Sequence, residues 1–420
     1  LLILVLSVIL LTRSVWVAFA LAFIVTFVLF LIFSFKTTKF SIPVKKLLFY
    51  LGVFFGIVGI CRLIYAHFGD LKVFRDQLYW IGNYKFGSSL ERVGLWQKSL
   101  QMSRDNPLTG VGAGNWKICF PAYGMMTGRP DAATTFFQRP HNDFIWVLAE
   151  NGIFAFLFYV LIFFLAFRSM VRALENAQNT NDLLFNLLLV FGLTGYLVFA
   201  LLSFPRERIE HQVFLHLYLA LVVVSAPRKP TKETKLSKFT RLTSLGFVVV
   251  LLLFATLLTA YRISAEIHTL EAYRHRDQQK HQQTIIDIDR AENLFTTLDT
   301  YSTPLTWYRG EAHFMLGHLE EAFRDFRKAN QQHPNHIYVL NNLATSYELK
   351  GDHARAKDLY ARALDIFPEF EDALLNLTAV YYNENELDSA IIMLSKISLS
   401  SDNPRYTEYR TTVLHRKLIY

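Results

Sequence analysis

Residues 243–261 read TSLGFVVVLLLFATLLTAY, a stretch without a charged side chain. About 20 apolar residues in a helix cross the hydrocarbon core of a bilayer, so this stretch is predicted to span a membrane. It also divides the chain by charge. Residues up to Tyr261 hold 25 Lys and Arg against 12 Asp and Glu, whereas the residues after it hold 18 against 23. A basic part rich in apolar runs is therefore followed by an acidic part.

Apolar runs of similar length precede this one. They predict a partial span at 1–11 and spans near 14–35, 47–66, 144–167, 183–203 and 212–226. Leu1 lies inside an apolar run that lacks a basic start and a cleavage site, so we expect an N-terminally truncated membrane domain rather than a signal peptide. The expected fold is all-α, with a polytopic transmembrane helix bundle of six to seven helices over 1–261. With 52% hydrophobic residues, an ordinary water-soluble protein is excluded.

Lysines and arginines between the spans predict their orientation. Three basic loops fall on one side of the membrane if the helices alternate, namely 36–46, 168–172 and 228–241, and the positive-inside rule makes that side cytoplasmic. The loop 67–142, the short loop 204–211 and everything after Tyr261 are then extracytoplasmic. The prediction is a multi-pass protein of the cytoplasmic (inner) membrane whose chemistry lies on the periplasmic side. Because orientation and contact with membrane lipids explain the positive charge, no nucleic-acid partner is predicted.

Residues 303–404 repeat with a period of 34. Small residues recur at aligned positions, which are Gly310, Ala344 and Thr378, and Ala322, Ala356 and Ala390. Pro334 and Pro368 close two units, and the proline of the third unit, Pro404, arrives two residues late. The pattern resembles the tetratricopeptide repeat, in which helix pairs stack into an α-solenoid. We expect three units at 303–404, a helical connector at 262–302, a C-terminal helical cap or tail at 405–420, and a surface for a protein or glycan partner.

The connector has a further property, because residues 247–303 contain neither Gly nor Pro. A helix that leaves the membrane is therefore predicted to continue into solvent. The sequence Asp287-Ile288-Asp289 in this region is interpreted as a solvated helix face rather than a metal motif.

The loop 67–142 is too long for a turn and is expected to carry function. Ser88 and Glu91 have the spacing of a capping box, which predicts a helix that ends at Asp105-Asn106-Pro107. The glycine-rich residues 110–114 follow. No strand precedes them and no Lys-Ser/Thr follows, so they are predicted to form a structural turn rather than a nucleotide-binding loop.

His141 lies directly before the apolar run that starts at Phe144. Pro140 fits the first turn of a helix, which places His141 at the outer interface of the membrane. A histidine there can accept the proton of a hydroxyl nucleophile, and an interfacial polar residue is the alternative. Glu150 follows two turns beyond Asp143 on the same helix face, where an acid must pair or face a cavity.

Arginines recur on the same outer surface, at Arg13, Arg62, Arg92, Arg206 and Arg208. Singly they are interpreted as interface anchors, and together they would form a clamp for phosphate, since guanidinium groups bind phosphate oxygens bidentately. No local motif of zinc peptidases, redox proteins, serine hydrolases or ATPases is present in the sequence. No metal and no cofactor is therefore expected.

Five stretches together resemble the O-antigen ligase and polymerase superfamily, namely 11–14 (LTRS), 92–96 (RVGLW), 105–115 (DNPLTGVGAGN), 141–144 (HNDF) and 150–152 (ENG). The resemblance covers roughly residues 1–225. It implies a metal-independent, inverting membrane glycosyltransferase that takes a glycan from an undecaprenyl-pyrophosphate carrier. The implied acceptor is a lipid A core sugar, another lipid-linked glycan repeat or a protein hydroxyl.

The resemblance also implies roles for residues: Arg13 and Arg92 bind the pyrophosphate, and His141 assists the acceptor hydroxyl. The predicted site consists of catalytic His141, pyrophosphate-binding Arg13, Arg92, Arg206 and Arg208, and supporting Arg139, Asn142, Asp143 and Glu150. Ligase, polymerase and protein O-oligosaccharyltransferase stay open at this point. A lipid-linked glycan transporter and a non-catalytic repeat scaffold are the alternatives of another class.

Overall fold

The computed structural model describes residues 13–36, 56, 87–125, 136–225, 237–399 and 401–419. Within these ranges the secondary structure is helical, with isolated β-bridges in the segment 293–304 and no extended strand. The all-α fold class is confirmed. The chain forms two compact units, the first from Leu1–Trp116 with Arg139–Lys232 and the second from Lys117–Gln138 with Glu233–Tyr420.

Five helices of the first unit are described: α1 Arg13–Lys36, α2 Gly87–Asp105, α3 Asp143–Glu175, α4 Thr180–Leu202 and α5 Ile209–Ser225. Helices α1, α3 and α4 are long and apolar enough to cross a membrane, and α5 is a shorter apolar helix. Helix α2 ends at Asp105, where the sequence predicts its end. The predicted spans at 1–11 and 47–66 lie outside the described residues except for Gly56.

The membrane helices of the first unit pack through small residues and rings. Gly195 of α4 lies against the Cβ atom of Ala22 in α1, and the rings of Phe19 and Phe191 meet edge to face at 5.3 Å. Elsewhere on the membrane helices large apolar side chains are exposed. Phe158 is 67% exposed, and such apolar faces are solvated by lipid rather than by water.

The second unit contains a long helix, α6 Lys238–Asp277. Its 40 residues extend about 60 Å at 1.5 Å per residue, twice the thickness of a bilayer core. Buried side chains begin at Ala265, and α7 His281–Ala291 packs back on this end of α6. The helix continues past Tyr261, the last residue of the predicted span, as far as Asp277. Asp287 of α7 is buried, so the prediction of a solvated face was wrong for this residue.

Six helices form three antiparallel pairs: α8 Leu305–Met315 with α9 Leu319–Gln332, α10 Ile337–Leu349 with α11 His353–Ile366, and α12 Glu371–Asn383 with α13 Leu387–Ser395. The small residues of the 34-residue period lie where the helices of a pair meet. A Cβ atom on Gly310 would approach the ring of Phe326 to 2.8 Å, and Ala344 and Ala322 are fully buried.

Pro404 does not close the third pair but begins α14 Pro404–Ile419. The reason is that proline fits the first position of a helix, where no N–H is needed within the helix. Tyr406 and Val413 of α14 are buried against the third pair.

Part of the loop 67–142 belongs to the second unit. Lys117–Gln138 is included there by its contacts, and Met125 is buried in the core of the repeats. The Met125 N–H donates to the carbonyl of Ile366 at 2.9 Å, and Asn335 Nδ2 donates to the carbonyl of Ile118 at 3.0 Å. The sequence did not predict that this loop segment packs with the repeats.

Candidate active site

The glycine-rich turn is locked onto a break in α3. Gly152 has φ 75° and interrupts the helical geometry of α3, and Gly110 has φ 64°. A Cβ atom on Gly152 would lie 2.1 Å from the carbonyl oxygen of Leu108, and one on Gly110 would lie 2.3 Å from the carbonyl carbon of Glu150. Both positions therefore require glycine. The predicted structural turn is confirmed, whereas the helix break that receives it was not predicted.

Backbone hydrogen bonds join the turn to the interrupted helix. The N–H groups of Val111 and Gly112 donate to the carbonyls of Ala149 and Glu150 at 3.0 and 2.8 Å. Beyond the break, the Ile153 N–H donates to the carbonyl of Pro107 at 2.9 Å. The turn thus satisfies groups that a continuous helix would satisfy internally.

Glu150 is buried beneath this turn and connects three segments. Its Oε2 accepts from Arg206 Nη2 at 3.1 Å, and its Oε1 accepts from the Trp116 N–H at 3.3 Å. The guanidinium of Arg206 also lies 4.6 Å from the ring centre of Trp146. The acid expected to pair or face a cavity is therefore paired with an arginine of the loop 204–211.

A second carboxylate holds the same loop. Asp143 Oδ2 accepts from the main-chain N–H of Arg206 at 2.9 Å, in the short 3-10 turn Pro205–Glu207. Asp143 and Glu150 together position this turn beside the first helical turns of α3. Buried Asp143 Oδ1 has no hydrogen-bond partner among the described residues.

Asn142 starts the helix. Its Oδ1 accepts from the N–H groups of Phe144 and Ile145 at 3.0 and 3.1 Å, the geometry of an N-cap. The prediction that Pro140 lies in the first turn of this helix was wrong. The helix begins at Asp143 because the side chain of Asn142, not the proline ring, satisfies its first N–H groups.

His141 is half-buried between this cap and Pro140. Its φ of 57° lies in the left-handed region, which non-glycine residues adopt at strained positions. A hydrogen bond to the preceding residue helps to hold this conformation, because Trp96 Nε1 of α2 donates to the carbonyl of Pro140 at 2.9 Å. His141 Nδ1 is buried without a hydrogen-bond partner among the described residues.

The ring of Phe204 is the centre of a cationic cluster. The His141 ring meets it edge to face at 5.0 Å, and the guanidinium groups of Arg139 and Arg208 lie 4.3 and 5.0 Å from its centre. Arg139 Nη1 also pairs with Glu207 Oε2. Phe204 was not singled out from the sequence, although it directly precedes the Pro-Arg-Glu-Arg stretch that was.

The electrostatics of this cluster act on His141. Burial, followed by the positive charges of Arg92 and Arg139, lowers the pKa of His141 from 6.5 to about 4. Arg92 Nη1 donates to the carbonyl of Leu202 at 2.9 Å, which fixes α2 to the C-terminal end of α4. At neutral pH His141 is therefore an uncharged base surrounded by cations.

The structure thus brings together most of the predicted site. His141, Arg92, Arg139 and Arg208 share one neighbourhood, and Asn142, Asp143, Glu150 and Arg206 frame it. Arg13 is the first residue of α1, and its side chain lies outside the described residues, as does Arg62. The tertiary partners Phe204, Trp96 and Glu207 were missed by sequence reasoning.

Comparison with known proteins identifies two families within the chain. Residues 1–160 match the family model described as O-Antigen ligase. The resemblance to the O-antigen ligases is confirmed. Two tetratricopeptide-repeat family models match residues 302–369 and 347–409. Residues 1–160 are thus similar to the O-antigen ligases and residues 302–409 to tetratricopeptide repeats, and the long apolar helices are those of an integral membrane protein.

Similarity to individual proteins is more distant. No curated protein matches the chain. A solved structure titled "Crystal structure of MamA" is 16% identical, covers 44% of this chain and 99% of its own, and has a TM-score of 0.29. Another, titled "Crystal structure of MamA protein", is 19% identical, covers 33% and 74%, and has a TM-score of 0.29.

Proposed function

We propose that the protein transfers a glycan from an undecaprenyl-pyrophosphate carrier to an acceptor hydroxyl on the periplasmic side of the cytoplasmic membrane. The reaction is inverting and metal-independent, as in the O-antigen ligases. The observation that carries the proposal is a half-buried, uncharged His141 beside Arg92 and Arg139, whose charges contribute to lowering its pKa to about 4.

This arrangement couples donor binding to base strength. A pyrophosphate bound near Arg92 and Arg139 neutralises the charges that lower the pKa of His141. The pKa then rises toward the ordinary histidine value, and the imidazole becomes a stronger base only when the donor is in place. Before the donor binds, the same cations keep His141 deprotonated and ready to accept.

The proposed transfer is one displacement. The acceptor oxygen attacks the anomeric carbon while its proton passes to His141, and the bond from that carbon to the pyrophosphate oxygen breaks. The electron pair leaves with the undecaprenyl pyrophosphate, whose added charge the arginines stabilise. Attack opposite the leaving group inverts the configuration of the anomeric carbon.

The arginines divide between two roles in this proposal. Arg92, Arg139 and Arg208 border His141, and Arg208 has no carboxylate partner among the described residues. We assign them, with Arg13, to the pyrophosphate. Arg206 is held by Glu150, so we assign it mainly to positioning of the turn Pro205–Glu207, a narrower role than the sequence predicts.

The test is glycan transfer by His141→Ala in cells that lack the wild-type protein. We expect normal protein level and membrane insertion, loss of transfer and accumulation of the lipid-linked donor. His216→Ala, which changes an exposed histidine of α5, is the matched control and should transfer normally. Normal transfer by His141→Ala would remove this residue from the mechanism.

The acceptor is decided by the surface glycans of a strain without the protein. Loss of all core-attached glycan indicates transfer to the lipid A core, and a single short unit on the core indicates polymerisation. Underglycosylated proteins with unchanged lipid-attached glycan indicate transfer to protein hydroxyls. If loss of residues 303–404 abolished function while His141→Ala and Arg92→Ala were silent, the repeats would act as a scaffold for a protein or glycan partner.

A further inference from the structure

Helices α6 and α7 bring together a group of potential metal ligands in the second unit. His268 and Glu271 of α6 and Asp287 of α7 each offer one ligand atom, and these atoms lie within 4.8 Å of one another. His275, two turns after His268 on α6, has its Nδ1 at 2.6 Å from Asp287 Oδ2. The group is thus two carboxylates and two imidazoles on two packed helices.

This group brings two carboxylates close together, one of them buried. The side chain of Asp287 is 5% exposed, and Glu271 lies close enough to repel it. Among the described residues neither carboxylate is paired with a lysine or an arginine, and the partners are the rings of His268 and His275. A buried carboxylate needs a compensating positive charge, which a bound metal ion would supply.

The donor set selects the kind of cation. Magnesium and calcium prefer sites made of oxygen ligands, whereas imidazole nitrogen with carboxylate oxygen suits zinc and related transition metals. Three protein ligands leave a fourth position of a tetrahedral zinc ion for water. His275 fits an outer role, because a ligating carboxylate is commonly oriented by a hydrogen bond from a neighbouring side chain.

We propose that His268, Glu271 and Asp287 bind one zinc ion, with His275 as the positioning residue for Asp287. The ion joins α6 to α7 at the first helix pair that precedes the repeats. His268 follows Tyr261 by seven residues, about 10 Å along the helix, so the ion fastens α6 shortly after it leaves the predicted membrane span. Its role is structural, to fix the angle between these two helices.

The sequence offers a matched control within the same Asp-x-Asp stretch. Asp289 lies two residues after Asp287, but its carboxylate is more than half exposed and pairs with Arg309 at 2.6 Å. Asp287→Asn removes a ligand charge with almost no change of shape, and Asp289→Asn makes the same change outside the group. His415→Ala, on exposed His415 of α14, is the control for His268→Ala.

The experiment uses the full chain, purified in detergent, stripped with a chelator and titrated with zinc ions. We expect one tightly bound zinc per chain by elemental analysis and a higher thermal unfolding midpoint on zinc addition. His268→Ala and Asp287→Asn should each weaken zinc affinity at least tenfold and abolish the rise, while Asp289→Asn and His415→Ala keep both. Helical content by circular dichroism shows that the variants fold.

Two outcomes would overturn the proposal. One is wild-type protein that binds no zinc above the level of the Asp287→Asn variant. The other is equal zinc affinity in Asp287→Asn and Asp289→Asn, which would place the ion elsewhere. A cobalt ion titrated into the wild-type protein gives an independent readout, since its visible absorption should appear with the wild type and be absent from His268→Ala.

Discussion

His141 combines an unusual backbone with an unusual charge environment. Its positive φ is maintained by neighbours on both sides, Trp96 bound to the carbonyl of Pro140 and Asn142 capping α3. Strained residues of this kind persist where the surrounding structure over-determines them, and they concentrate at functional sites. The ring is thereby aimed at Phe204 rather than along the helix.

The pKa of His141 leads to a prediction about the pH dependence of transfer. The base must be neutral, so kcat/KM should fall on the acid side with the pKa of the free enzyme, about 4. If the bound pyrophosphate neutralises the nearby arginines, the pKa rises in the complex, and the acid limb of kcat lies at higher pH than that of kcat/KM. Both acid limbs are measured as initial rates with purified donor and acceptor between roughly pH 3.5 and 8. This range includes both the lowered pKa of His141 and the ordinary pKa of histidine.

Arg139→Gln tests the cause of this shift. Removal of its charge should raise the pKa of His141 and move the acid limb of kcat/KM toward higher pH. Arg208→Gln is the comparison, because Arg208 lies on the same Phe204 ring but is not among the groups that lower this pKa. Coincident limbs near pH 6.5 in the wild type would show that His141 is not perturbed in this way.

At the level of single residues the sequence predicted which ionisable residues lie in the candidate site, but not which side chains contact them. His141 and Arg208 were singled out because each lies at the end of a predicted membrane span, and Arg92 because a guanidinium on the outer surface suits phosphate. Phe204 carries no such signal, since an aromatic residue at the end of an apolar run is common. Glu150 was placed on the correct helix, but its ion pair with Arg206 depends on a loop whose path is set by tertiary contacts.

Between elements, the site depends on the interlock of the glycine-rich turn with α3. Two glycines at this contact have no room for a side chain, whereas a third glycine of the turn, Gly114, does. Gly110 and Gly152 face backbone atoms of the opposite segment, whereas Gly114, with φ 79°, has open space around the position of a Cβ atom. The turn was predictable from its composition, but the break at Gly152 was not, because a single glycine in an apolar run is also tolerated inside a helix.

This difference gives a prediction with a built-in control. Gly114→Ala should cost only the strain of a left-handed alanine, on the order of 1 kcal/mol. Gly152→Ala adds a collision with the carbonyl of Leu108, so it should be several times more destabilising and should abolish transfer by separating the turn from α3. The thermal unfolding midpoint of each variant in detergent measures the effect, and equal shifts would mean that the interlock contributes nothing.

For the whole molecule, local periodicity predicted the spans and the repeats but not the division of the chain. The length of an apolar run and a 34-residue period can be recognised in the sequence because each is a local pattern, within one helix or between neighbouring repeats. The inclusion of Lys117–Gln138 in the unit of the repeats depends on contacts more than 160 residues apart, such as that of Gln138 with Ser302. No local pattern specifies such a contact, so the repeats were predicted as a separate appendage.

The packing of this loop segment predicts that the stability of the repeats affects transfer. The ring of Phe136 stacks on that of His336, with centres 4.4 Å apart and planes within 12°. Phe136→Ala should destabilise the second unit by about 1 to 3 kcal/mol, less than a fully buried phenylalanine, because the side chain is half-buried.

The same substitution should also lower transfer severalfold, because Gln138, anchored to Ser302 at 2.6 Å, is three residues from His141 along the chain. Phe295→Ala, on a 56% exposed ring of the same unit, should leave both stability and transfer near the wild-type level. Thermal unfolding and the rate of glycan transfer, measured on one preparation of each variant, decide the point. Reduced stability with unchanged transfer would show that the anchored segment supports the repeats alone, and a deletion of residues 303–404 would then be a clean test of partner binding.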